Sequence, residues 1–153
     1  MEKVKLKLGD LLQLESEING LVIPEKETQR VIYEGFTKQN LSIILKYELK
    51  ELGEFLKTER KKIEELRDEL IKKYGEDDNN GGIFVKMWIE ETDEEGNVIS
   101  KYINPKYVEF DNEYGTLLDQ EKEIDTPEIT KEDLKRAGDT KDDYKVLFTL
   151  IKK

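Results

Sequence analysis

The sequence predicts an α+β fold: a long helix in an antiparallel helical hairpin, a small β-hairpin and strand head, and short C-terminal helices. Three observations carry this expectation. Leu45, Leu49, Leu52, Leu56, Ile63, Leu66 and Leu70 recur at alternating spacings of four and three, with Glu59 in the one missing slot. That period of about 3.5 residues marks a helix whose apolar seam lies along another helix. Next, Ile83, Val85, Met87 and Ile89 alternate, as do Val98, Ser100 and Tyr102 beyond the turn TDEEGN, which reads as a β-hairpin. Finally, Asn104-Pro105 is a cap followed by proline at the first helical position, and Tyr107, Phe110, Tyr114 and Leu117 continue at helical spacing.

The 153 residues are expected to form a single domain. Residues 1–36 give a strand, a short helix and a connection; 37–75 the long helix; 76–104 the β-hairpin; 105–153 a helical return and an acidic C-terminal part. At the amino terminus Val4, Leu6 and Leu8 alternate with Lys3, Lys5 and Lys7, the pattern of a half-buried edge strand. Asp10 is placed to cap a helix carrying Leu11, Leu14 and Ile18, ended by Gly20. Leu21 to Gly35, with Pro24 and the charged run EKETQR, reads as an irregular connection with one short strand at Val31-Ile32-Tyr33.

The long helix spans Thr37 to Tyr74, with Lys72 and Lys73 in the last turn and Gly75 as its stop. Its length would be roughly 57 Å, more than a local core can cover. The Asn104–Asp119 helix is the natural partner of its lower half, so Leu66 and Leu70 should meet Tyr114 and Leu117. Gly53 and Gly115 each sit inside a helix, where glycine costs about 1 kcal/mol relative to alanine, through close backbone approach or mere tolerance. Near the end, Thr130 precedes a short helix stopped by Gly138, and Thr140 with Asp143 resembles a capping box. Tyr144, Leu147, Phe148 and Ile151 then form one apolar stripe that must dock somewhere.

Charge is unevenly placed. Residues 1–75 hold 15 acids and 15 bases, whereas 76–153 hold 21 acids and 11 bases, which supplies the whole net charge of −10. An acidic half disfavours binding to a phosphate backbone, where basic patches release counterions. The chain has neither cysteine nor histidine, which removes disulfides, thiolate chemistry and the commonest general base and metal ligand. No apolar run approaches membrane-spanning length.

Candidate chemistry is correspondingly thin. Glu64 with Asp68 and Glu65 with Glu69 lie one turn apart, but Lys61, Lys62, Arg67, Lys72 and Lys73 interleave, the pattern of a solvated, ion-paired face. Glu76-x-Asp78-x-Asn80-Gly81 resembles the start of a calcium loop, yet the closing acidic ligand falls on Met87, so a polar turn is expected and no metal. Asp93, Glu94 and Glu95 sit at the hairpin tip as an exposed loop. Trp88 and Tyr102, if cross-strand neighbours, would stabilise the hairpin rather than bind a ligand. No phosphate-binding glycine pattern, nucleophile elbow or zinc spacing is present. No catalytic residue and no cofactor are expected.

Four segments together carry a resemblance: KLKLGDLLQLESEINGL, LSIILKYELKELGEFLKTERKKIEELRDELIKKYGE, NPKYVEFDNEYGTLLDQEKEID and DYKVLFTLI. In their order the chain resembles small uncharacterised proteins of tailed phages and prophages. It departs from them by carrying MWIEETDEEGNVISKYI where that family often has a shorter turn. The resemblance implies a phage origin and brings no functional residues with it. The expected role is a non-enzymatic virion structural or assembly component in the virion or host cytoplasm, with an acidic host-directed inhibitor (an anti-defence protein or nucleic-acid mimic) as the alternative. The expected contact is with a protein partner or another copy, through Leu41, Leu45, Leu49, Leu52, Tyr144, Leu147, Phe148 and Ile151, and not with a membrane or nucleic acid.

Overall fold

A computed structural model describes residues 2–24, 29–77, 81–133 and 145–150. Helices and small antiparallel sheets are mixed, and the chain divides into two compact units, residues 1–61 with 120–153 and residues 62–119.

In the first unit, β1 (Glu2–Lys7) pairs antiparallel with β8 (Glu121–Thr126), in the register Lys3↔Asp125, Lys5↔Glu123 and Lys7↔Glu121. Each lysine of the amino-terminal strand therefore faces an acid, and opposite charges across a ladder favour this register over a slipped one. The expected edge strand thus finds its neighbour in a segment more than a hundred residues away. α1 (Leu8–Asn19) follows without a side-chain cap: the cap position is Lys7, and Asp10 lies inside the first turn, where a carboxylate complements the helix dipole. Gly20 closes α1 with φ of 87°, a conformation that suits glycine. The expected irregular connection is a two-stranded sheet, β2 (Gly20–Pro24) with β3 (Gln29–Glu34).

After a 3₁₀ turn at Phe36–Lys38, the long helix α2 covers Ile43–Tyr74, beginning later than the apolar spacing implied. The Ser42 hydroxyl sets that start by accepting from the Leu45 N–H at 3.3 Å. The first unit's core joins Leu11, Leu14 and Ile18 of α1, Phe36, the seam residues Leu41, Leu45, Leu49, Leu52 and Leu56, Ile124 of β8, Ile129, and Leu147 of α4 (Lys145–Thr149). Gly53 is a close-approach position. A Cβ there would meet Asn19 Oδ1 at 2.5 Å, and the Asn19 amide donates to the Gly53 carbonyl at 3.2 Å.

The vacant seam slot is filled by chemistry. Glu59 is buried, and Lys122 of β8 donates to its Oε1 at 2.8 Å. One residue on, the Arg60 guanidinium bonds Glu15 Oε2 at 2.7 Å, Ser16 Oγ at 2.9 Å and the Leu12 carbonyl at 2.6 Å, so α2 and α1 are tied by ions as well as leucines. Glu17, fully buried on α1, accepts from the Val146 N–H at 2.9 Å and the Leu147 N–H at 3.3 Å. A carboxylate of the first helix thereby satisfies the orphan amides of the last.

The second unit holds the end of α2, β4 (Glu76–Asp77) with β5 (Ile83–Phe84), and the hairpin β6 (Trp88–Thr92) with β7 (Val98–Ile103). It ends with α3 (Pro105–Leu118). The expected strand at 83–89 is broken: β5 stops at Phe84 to pair with β4, and a new strand begins at Trp88. Asn104 holds the join. Its Oδ1 caps α3 by accepting from the Lys106 N–H at 3.1 Å, while its amide donates to the Lys86 carbonyl at 2.9 Å. The structure does not confirm the antiparallel helical pairing; of the residues expected to form it, Leu70, Tyr114 and Leu117 are half-buried. Leu66 is 44% exposed and α3 has no buried residue; a Lys73–Glu113 ion pair at 3.2 Å joins α2 to α3. Gly115 has open space around it, so its place in α3 reflects tolerance.

Candidate interaction surfaces

The residues proposed for an interface divide in the structure. Leu41, Leu45, Leu49, Leu52 and Leu147 are buried in the first unit's own core, because α1, Phe36, β8 and α4 already cover that side of α2. Their apolar area is used within the chain, which corrects the expectation that they wait for a partner. Tyr144, Ile151 and the side chain of Phe148 lie outside the described residues.

What remains open lies elsewhere, in two places. On the first unit, Ile43 (80% exposed), Ile44 and Tyr47 (64%) stand at the start of α2. These positions fall between the seam leucines, so the rotation of the helix that buries Leu45 and Leu49 turns them to water. A groove of about 390 Å³ is lined here by Thr37, Lys38, Ile43, Lys46, Tyr47 and Lys50, three cations without an acid. Tyr47 hydrogen-bonds Glu51 just outside the lining, and this bond, reinforced by the negative charge, holds the phenol above its ordinary pKa.

The second surface is the hairpin unit. Ile83, Phe84, Met87, Trp88, Tyr102 and Ile103 are all exposed, and so are Val98 and Ile99 beside the tip. The ladder pairs Trp88 with Ile103 and Ile89 with Tyr102, so Trp88 and Tyr102 point to opposite faces and are not the cross-strand pair considered from sequence. Trp88 instead has Lys101 over its ring at 5.2 Å, and Lys101 also pairs with Glu90 at 3.9 Å. On the other face the Ser100 hydroxyl donates to Glu91 at 3.0 Å.

The tip is ordered by one carboxylate. Asp93 Oδ1 accepts from the Glu95 N–H at 3.0 Å and the Asn97 N–H at 2.8 Å, and Gly96 takes φ of 85° to close the turn. The Asn97 backbone hydrogen bond is the main reason the Asp93 carboxyl sits below its usual range. With Asp93 engaged inside the loop, Glu94 and Glu95 present their charge outward with no side-chain partner among the described residues.

The unit carrying this hairpin has 16 acids against 7 bases over residues 62–119, whereas the remaining residues have 20 against 19. The two surfaces are therefore both apolar but opposite in local charge. Among the described residues no group of three or more acidic side chains is placed to hold a metal ion, and no helix is long and apolar enough to cross a membrane. Sequence reasoning missed Ile43, Ile44 and Tyr47, though a signal was present: three large apolar residues at positions the four-three seam skips.

No family model matches the chain, and no curated protein or solved structure matches it.

Proposed function

We propose that the chain is a non-enzymatic interaction protein of a tailed phage or prophage, a virion structural or assembly component acting through protein–protein contacts. One contrast carries this reading. The first unit buries a continuous apolar core, while the second leaves Ile83, Phe84, Met87, Trp88, Ile99 and Tyr102 in water and buries nothing on α3. A two-stranded hairpin is marginal in water, and a concentration of exposed apolar side chains marks a surface that works when covered. The phage origin rests on the resemblance of the four segments quoted above. An absence of histidine and cysteine favours binding over catalysis.

A second reading, the acidic host-directed inhibitor, is favoured by the 16 acids gathered in residues 62–119. Mass spectrometry of purified particles from a phage encoding this chain separates the two. The chain is expected in the particle at structural copy number. Abundant protein in the infected cell with none in the particle would refute the virion role and favour the inhibitor.

A further inference from the structure

We propose that the groove at the start of α2 receives the hairpin tip of a second copy, so that copies associate groove to tip. This deepens the reading of an interaction protein and rests on it. The groove is lined by the exposed Ile43 and Tyr47 together with Lys38, Lys46 and Lys50. These lysines form no ion pair among the described residues. The tip offers the matching set: Val98 (54% exposed) and Ile99 (68%), successive residues at the start of β7, beside the outward Glu94 and Glu95. Aliphatic side chains meet aliphatic and aromatic ones, and carboxylates meet ammonium groups. The tip is also ordered before contact by the Asp93 hydrogen bonds to Glu95 and Asn97, so little chain entropy is lost on docking.

Charge decides among possible occupants. Two hairpins placed against each other would juxtapose Glu94 and Glu95 with their own copies, and two grooves would juxtapose lysines, so tip-on-tip and groove-on-groove contacts are repelled. Groove on tip is attractive. Because the two surfaces differ, the contact either closes reciprocally between two copies or continues into a ring or an open filament. Neither surface lies on Leu45, Leu49, Leu52 or Leu56, which stay in the core.

Sedimentation of the full chain over a range of micromolar concentrations tests this. The wild type is expected to associate into dimers or larger assemblies as concentration rises, and to lose most of that association when salt screens the contact. Lys46→Glu with Lys50→Glu should be monomeric, and so should Glu94→Lys with Glu95→Lys, each with unchanged circular dichroism. Mixed together, the two variants should associate again, because every groove then meets a tip of opposite charge. A wild type that stays monomeric throughout, or variants that associate as well as the wild type does, overturns the proposal. Such a chain found in purified particles would leave the interaction-protein reading standing without self-assembly.

Discussion

Glu59 offers a sharp test of how the first unit is held, because removing its partner Lys122 and replacing Glu59 itself should have different effects. The carboxylate occupies the slot where the seam calls for leucine, is buried, and is met by Lys122 at 2.8 Å; Lys122 also lies over the Phe55 ring at 5.4 Å. Removing the cation by Lys122→Ala leaves a buried charge that has lost the ammonium 2.8 Å from it. Breaking such a pair costs about 3–5 kcal/mol when both partners are buried. Lys122 keeps 38% of its side chain in water, so solvent already screens part of the pairing and a loss of about 1–3 kcal/mol is expected. Glu59→Leu removes the charge that needed compensation and completes the apolar seam, while Lys122 can turn to solvent. That change should be neutral or stabilising by about 1 kcal/mol, since buried pairs replaced by well-packed apolar groups often gain. Urea unfolding followed by circular dichroism at 222 nm measures both. A Glu59→Leu variant destabilised as much as Lys122→Ala would refute the view that the pair fills a gap rather than anchors the fold.

Three further outcomes follow from the geometry. Leu49→Ala, at a fully buried position, should cost about 2–5 kcal/mol while leaving the sedimentation coefficient of the folded protein unchanged, since this leucine is core and not interface. Gly53→Ala should destabilise, because its Cβ runs into Asn19, whereas Gly115→Ala should stabilise by about 0.5–1 kcal/mol through helix propensity alone; thermal melts of the two separate these signs. The depressed Asp93 pKa stabilises the hairpin tip above the ordinary carboxylate value of 3.8, and that contribution is lost as pH falls through the lower folded value. The Asn97 amide resonance should therefore shift only at the acid end of an NMR titration, and a midpoint at or above the ordinary value would contradict the assigned hydrogen bonds.

Much of the fold could be read locally. The seam, the apolar face of α1, the glycine stop at Gly20 and the Asn104-Pro105 cap all depend on residues a few positions apart, and each appears in the structure. Pairing partners were harder. Nothing near Val4 announces Ile124, because a ladder between chain positions this distant leaves no periodic trace beyond alternation on each side. The break between Phe84 and Trp88 was hidden for a related reason: alternation continues through Val85 and Met87 although the ladder does not. Periodicity also says which face is apolar without saying what covers it. Leu45 and Leu66 look alike on the seam, yet one lies under α1 and the other is exposed. The candidate surfaces suffered most from this, since the sequence pointed to the seam while the open apolar residues lie beside it at Ile43 and Tyr47 and on the hairpin.

The central claim is that the hairpin unit works by being covered. Amide hydrogen exchange compares the free chain with the chain bound in purified particles. Binding is expected to slow exchange most across residues 83–103, with β1, α1 and β8 changed little. Protection confined to α1 and the seam of α2, with the hairpin exchanging as in the free chain, would contradict the account.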